Sequence, residues 1–281
     1  MTERALQLDW PAILRGMAAA SSKVQRRLRV PPRMSPVEWC DQHFYLSPES
    51  SGTEAQWKTL PNQRAILNCF GGDYCRDVTV LKCARVGYTK MLVGAASYLI
   101  TYKRRTGAIW QPVDGDATEF KKDEINPALR DVSPLRKAML ARDPEQKSKH
   151  NTEDRIAFDG AILYVRGAKA AKNFRRLTLD FAMLDEYSAW EPDIDGEGSG
   201  DSLASVRLTA SPYPKRVLGS TPKEHNSDLT ERTLGDARLV FHRELPCLEC
   251  GEFHRLEWKY FHYDKAEPLK TARFECPWCS E

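Results

Sequence analysis

The sequence predicts an α/β protein, with a mostly parallel central sheet flanked by helices and a small cysteine-rich segment at the C-terminal end. Three observations carry the prediction. Short β-rich runs alternate with helical stretches between residues 77 and 222, the pattern of strands joined by crossover helices. One of those runs, FAMLDE, reads as a buried strand that delivers two acids at its C-terminal end. Four of the eight cysteines fall into two C-x-x-C pairs at the end of the chain.

The elements follow in order. Residues 1–38 read as a basic arm and linker. They hold a short helix from Trp10 to Ala20, a basic run from Lys23 to Arg29, and the three prolines of VPPRMSP, which punctuate the chain. PVEWCDQH starts a helix that gives way to an irregular segment, and WKTLPNQRAILNCF contains a second helix. Asp77 to Lys82 is a short β-rich run, and Met91 to Tyr102 has the apolar content of a buried helix. GAIWQPV (107–113) is the second strand, followed by a charged helix from Asp116 to Leu129 and a polar surface excursion from Arg142 to Asp154. AILYVRGA, LTLDFAMLDE (177–186) and RVLGSTP (216–222) are the third, fourth and fifth strands. The α/β domain therefore spans residues 39–240, and the cysteine segment residues 241–281.

Composition narrows the class. Hydrophobic residues make up 41% and charged residues 29%, which suits a globular chain with a core. The absence of an 18-residue apolar run argues against a membrane-spanning helix, and MTERALQLDW lacks the apolar centre of a secretory signal. Without an export signal, paired cysteines point to a reducing cytoplasm and metal ligation instead of disulfides. The net charge of +3 is uneven: Gly160 to Leu179 holds five basic residues and no acid, whereas Asp185 to Asp201 holds seven acids and no base. Such asymmetry suits a polyanionic partner beside an acidic loop.

The stretch VLKCARVGYTKMLV reads as a strand, a turn and the start of a helix. Laid over the phosphate-binding pattern G-x-x-x-x-G-K-[ST], Gly87 takes the second glycine and Thr89 the hydroxyl. Lys82 falls on the first glycine and Tyr88 on the lysine. Backbone N–H groups from Lys82, Cys83, Ala84, Arg85, Val86, Gly87, Tyr88, Thr89 and Lys90 could still cradle a phosphate at the helix N-terminus. The missing ammonium has two sources. Lys82 could reach back over the loop, whereas Lys90, one residue beyond Thr89, points about 100° away on a helix, which favours Lys82. Arg85 could meet a γ-phosphate as an arginine supplied in cis. Downstream, Asp185 suits a Mg²⁺ held opposite the Thr89 hydroxyl, and Glu186 suits the orientation of an attacking water. Ser220 and Thr221, in LGSTP, are small hydroxyls able to sense the γ-phosphate. In this order the three signals predict hydrolysis of a nucleotide with Mg²⁺.

KCARVGYTK, FAMLDE and GSTPK, ahead of a C-x-x-C pair, resemble the large terminase subunit of lambda-type tailed phages from about Trp39 to Cys279. The resemblance implies a P-loop NTPase fold, with Lys82 to Lys90 as a modified Walker A loop, Asp185 and Glu186 as Walker B, and Ser220 and Thr221 as the coupling motif. It implies an ATP-driven motor that moves double-stranded DNA into a procapsid in the host cytoplasm. The implied partners are a small terminase subunit, a portal protein and further copies of the chain. An aromatic residue ahead of the loop contacts the base in that family, and Tyr45 is the similar position. Family members continue into a metal-dependent nuclease. The chain stops two residues after Cys279, so DNA cleavage is not expected from it.

Cys247-x2-Cys250 and Cys276-x2-Cys279, separated by 25 residues, have the spacing of two zinc knuckles. Four thiolates would close a tetrahedral, structural Zn²⁺ site, with Gly251 suiting the first turn and FHRLEWKYFHYDK supplying hairpin strands. His242, His254 and His262 are surface or packing residues on this reading. Arg166, Lys169, Lys172, Arg175 and Arg176 are the candidates for contacts to DNA phosphates. Two alternatives stand beside the motor: a zinc-ribbon nucleic-acid or assembly module with a degenerate loop, and a helicase-like ATPase, which would need a second lobe.

Overall fold

A six-stranded sheet in the order β3-β8-β7-β4-β6-β5 organises the computed structural model, which describes residues 9–12, 14–18, 21, 33–139, 152, 154–223 and 235–280. The strands are β3 (Asp77–Leu81), β4 (Gly107–Gln111), β5 (Arg155–Phe158), β6 (Ala161–Gly167), β7 (Phe181–Asp185) and β8 (Lys215–Ser220). All neighbours are parallel except β5, which runs antiparallel to β6. Ahead of the sheet come α1 (Pro36–His43), the short pair β1 (Tyr45–Leu46) and β2 (Ala55–Gln56), and α2 (Pro61–Gly71). Residues 10–12 and 14–18 are helical, in line with the sequence, whereas the basic run Lys23 to Arg29 and nearly all of Arg142 to Asp154 lie outside the described residues.

Local sequence explains these boundaries. Ser35 and Glu38 form a reciprocal capping box that starts α1, with Pro36 in the first turn, where its missing N–H costs nothing. α3 (Tyr88–Thr101) is buried on nearly all sides, as its apolar composition requires. β4 stops at Gln111 because Pro112 cannot donate to a ladder. The charged helix expected from Asp116 to Leu129 is divided into α4 (Asp114–Phe120), a π-helical turn (Lys121–Ile125) and α5 (Asn126–Asp131). Pro127 has no N–H to give the preceding turn, so the ladder loosens just before it. α6 (Ser133–Ala138) and α7 (Gly200–Val206) follow.

The sequence reading missed β5. Phe158 pairs with Ala161 across Asp159-Gly160, and Gly160 takes φ 83°. Asp-Gly between apolar runs is the sequence signal for such a two-residue hairpin turn.

Side chains alternate across the sheet. Ile109, Phe181, Met183 and Val217 pack with Trp39, Leu67, Phe70 and Leu92 of α1 to α3. Ala108, Trp110, Ala182, Leu184 and Leu218 pack on the other face with Phe174, Tyr187, Trp190 and Ala204. The period of two gives every central strand two buried faces. β4 and β7 are accordingly buried at every residue.

Candidate nucleotide site and cysteine cluster

The C-terminal ends of β3, β8 and β7 lie side by side, with Leu81 opposite Ser220 and Gly219 opposite Asp185. The expected acidic pair is thus on the next strand but one from the loop, and the strand carrying Ser220 runs between them. The Lys82 backbone N–H donates to the Ser220 carbonyl at 3.1 Å. Its ammonium lies 2.8 Å from Glu186 Oε1 and 3.3 Å from Thr221 Oγ1. Ser220 Oγ donates to Glu186 Oε2 at 3.3 Å. Four residues singled out in the sequence thereby share one hydrogen-bonded network. Lys82 is 8% exposed at its side chain against 43% for Glu186, so the network opens outward on the carboxylate side. Glu186 has φ 47°, in the left-handed region, at a cost of about 1–2 kcal/mol for a non-glycine residue.

Asp185 is 3% exposed. Its Oδ2 accepts from Gln111 Nε2 at 3.0 Å, and its Oδ1 accepts from the Glu186 N–H at 3.0 Å. Burial pushes its carboxyl up to about 6, and the Gln111 hydrogen bond offsets only part of that. Well below pH 3.8 the carboxyl is neutral in both the folded and unfolded chains; as pH rises from there toward 6 the unfolded chain ionises first, so stability is lost through that window. A gap of about two units amounts to ~3 kcal/mol. Asp185→Asn is therefore expected to raise the melting temperature of the chain by several degrees at pH 7.5 and to have little effect at pH 3, as read by calorimetry. Gln111, 5% exposed, was not singled out in the sequence; the available signal was a polar residue ending an apolar strand.

The loop itself is held from below. Gln63 is 4% exposed; its Nε2 donates to the Val86 carbonyl at 3.0 Å while its Oε1 accepts from the Leu60 N–H at 3.0 Å. Gly87 has φ 77°, and a Cβ on it would stand 2.8 Å from Gln63 Nε2, so both backbone shape and space demand glycine. Cys83, Ala84 and Arg85 are exposed, with Arg85 at φ 65°, while Thr89 is half-buried in the first turn of α3. The Lys90 ammonium is paired with Glu124 of the π-turn at 2.5 Å. Tyr45 donates its hydroxyl to Glu54 at 3.1 Å within its own hairpin. The aromatic brought against the loop is Trp57, whose ring lies 3.8 Å from a Cβ built on Gly87.

Tyr88, at the position where the pattern expects lysine, points into the core. It is 3% exposed, its ring meets Phe70 edge-on at 5.8 Å, and its phenol crosses Gly219, where a Cβ would come within 2.3 Å of the hydroxyl. Lys82 Nζ stands 5.2 Å from the centre of the Tyr88 ring. Among the described residues the Tyr88 hydroxyl has no hydrogen-bond partner, and burial, together with the carboxylates of Asp185 and Glu186, holds it well above the usual phenol range. An unmatched buried hydroxyl costs about 1–3 kcal/mol. Tyr88→Phe is expected to stabilise the chain by roughly 1 kcal/mol, read as a higher urea midpoint at constant m.

Among the basic candidates, Arg166 pairs with Asp154 at 2.7 Å and Arg175 pairs with Glu197, whereas Lys169, Lys172 and Arg176 are exposed.

The four terminal cysteines converge. Their sulfurs all lie within 4.8 Å of one another, with Cys247 to Cys279 and Cys250 to Cys276 each at 3.7 Å. A tetrahedron with 2.3 Å metal–sulfur bonds has edges of about 3.8 Å. The knuckles repeat one turn: Gly251 N–H donates to the Cys247 carbonyl at 3.0 Å and Ser280 N–H to the Cys276 carbonyl at 2.9 Å, both residues at positive φ. FHRLEWKYFHYDK does not form one hairpin. β10 (Phe253–His254) pairs back with β9 (Leu245–Pro246), and β11 (Phe261–His262) pairs forward with β12 (Arg273–Phe274). Each knuckle thus has its own pair of strands. His262 Nε2 lies 3.3 Å from Glu275 Oε2, and His254 lies beside the Glu252 carbonyl.

The family model for the ATPase domain of the phage terminase large subunit gpA matches residues 51–281. The chain is 41% identical to the large terminase subunit of Escherichia phage lambda over 236 residues, covering 83% of this chain and 36% of that protein. It is 39% identical to the large terminase subunit of Enterobacteria phage P21, covering 82% and 36%. The chain thus spans about a third of the length of these relatives. The crystal structure of the HK97 bacteriophage large terminase shares the fold, with a TM-score of 0.56 at 11% identity over 72% of this chain and 40% of that one. The chain belongs to the family of phage terminase large-subunit ATPase domains.

Proposed function

We propose that the chain binds and hydrolyses ATP as the motor portion of a DNA-packaging terminase. The observation that carries this reading is the network joining Lys82, Glu186, Ser220 and Thr221 at the ends of three adjacent parallel strands. That edge is where open α/β sheets bind ligands. Loop backbone from Lys82 to Lys90 would cradle the phosphates, with the Lys82 ammonium supplying charge from the first position. Arg85, exposed on the loop, would meet the γ-phosphate. Glu186 would leave Lys82 to orient water for in-line attack. Ser220 and Thr221 would sense the departure of phosphate and move β8. Tyr45 remains the proposed contact to the base.

A divalent cation suits Asp185, a buried carboxylate that accepts from Gln111 and, among the described residues, forms no ion pair. Thr89 and Asp185 would hold Mg²⁺, which would neutralise charge on the phosphates. Four sulfurs near tetrahedral spacing fit a closed, structural Zn²⁺ site.

Whole-protein properties follow from the family as proposals: translocation of double-stranded DNA, contact with a small terminase subunit and a portal protein, assembly with further copies, and action in the host cytoplasm. Among the described residues, no helix is long and apolar enough to cross a membrane. Lys169, Lys172 and Arg176 remain the proposed phosphate contacts.

The test is ATP binding and hydrolysis by the purified chain, with and without duplex DNA. Glu186→Gln is expected to retain ATP binding and to lose turnover by about 10²–10³-fold, the usual scale for a positioned general base. Failure of both proteins to bind ATP would leave a binding module with a degenerate loop.

A further inference from the structure

We propose that Tyr88 is a positioning residue for the site: its ring is the fixed platform that aims the displaced ammonium of Lys82 at the phosphate-binding loop. This rests on the reading of Lys82 as the phosphate cation. In the standard loop the residue at position 88 would supply the ammonium itself, on a chain starting at the helix N-terminus. Here that position carries a ring wedged between Phe70 and Gly219, and Lys82 arrives from the end of β3, on the other side of the loop, with its ammonium 5.2 Å from the ring centre. The cation reaches the site from the strand end of the loop instead of its helix end, over the side chain that occupies its usual carrier's position.

The ring has a property that the other Lys82 neighbours lack. Glu186 and Thr221 hold the ammonium in the present arrangement, yet both belong to groups that must change partners during turnover. The aromatic face is attractive to an ammonium, carries no net charge that would compete with a phosphate, and is immobilised by the core. A carboxylate there would retain the ammonium. An aliphatic side chain would give it no preferred direction. The same arrangement explains Gly219, since any side chain on it would strike the phenol ring and hydroxyl.

The experiment is a double-mutant cycle on the purified chain, with Mg²⁺ present and the fluorescent analogue mant-ATP as probe. Tyr88→Leu is expected to weaken mant-ATP binding about fivefold when Lys82 is present, as a loss near 1 kcal/mol implies. In a Lys82→Ala background the same substitution is expected to change affinity by less than twofold, because a residue that acts through Lys82 has nothing left to position. Equal losses in both backgrounds, or none in either, would overturn the proposal by making Tyr88 a packing residue. If Lys82→Ala itself leaves affinity intact, the assignment of Lys82 fails first. Should Tyr88→Leu not fold, ring chemistry can be varied at constant shape by placing phenylalanine and its mono-, di- and trifluorinated analogues at position 88. Affinity is then expected to fall with each fluorine, and a flat series would refute the platform.

Discussion

Lys82→Ala is expected to weaken ATP binding by about 30- to 100-fold, the equivalent of losing one charge-assisted hydrogen bond of roughly 2–3 kcal/mol. Isothermal titration with a slowly hydrolysed ATP analogue measures it. The informative comparison is Lys90→Ala. Lys90 is paired with Glu124 at 2.5 Å, the two side chains being 14% and 18% exposed. Burial raises the Glu124 carboxyl, and the Lys90 ammonium opposes that shift. Removing Lys90 strands a largely buried acid, so its main effect should be on folding, at roughly 3 kcal/mol, with affinity changed little. Loss of ATP binding in Lys90→Ala, with Lys82→Ala normal, would transfer the phosphate role to Lys90 and refute the displaced-lysine reading.

Removal of metal should have the second large effect, confined to one part of the chain. Among residues 235–280, Cys276 is the only buried one, while Leu248 is 98% and Trp258 80% exposed. A segment with so little core cannot offset its conformational entropy by hydrophobic burial and needs a cross-link. Zn²⁺ bound by four thiolates would supply it, with apparent binding energies of about 10–16 kcal/mol in comparable small modules. One zinc per chain is therefore expected by atomic absorption. Strong chelation at neutral pH, or Cys247→Ser with Cys250→Ser, should make the segment after residue 240 rapidly cleavable by trypsin. The sheet domain has two core clusters of its own and should keep its melting transition within about 2 °C. A metal-free chain whose terminal segment resists trypsin would sink the zinc assignment.

How much of this was visible in the linear order of residues differs from element to element. Five of the six main strands and the helices α1, α2 and α3 follow from apolar period and from Pro, Gly and capping residues, because those signals act over a few residues. The overlooked strand β5 had its signal in Asp159-Gly160. The π-turn had one in Pro127. Lys82, Asp185, Glu186, Ser220 and Thr221 were readable as chemistry, since each stands at the end of a strand in a motif with recognisable spacing. The four cysteines were readable for the same reason.

Contacts across long separations were not readable. Lys82 meets Glu186 and Thr221 over 104 and 139 positions, and those pairings exist because the sheet order inserts β8 between β3 and β7. No local pattern specifies strand order. Gln111 beneath Asp185, Gln63 beneath the loop, and Glu124 on Lys90 are equally invisible to spacing, since each partner comes from an element whose position is set by packing. Residue types and their local order thus determine which chemistry the chain carries. Folding of the sheet, by burying both faces of its central strands, selects which charge faces which, and sets the ring of Tyr88 against the ammonium of Lys82.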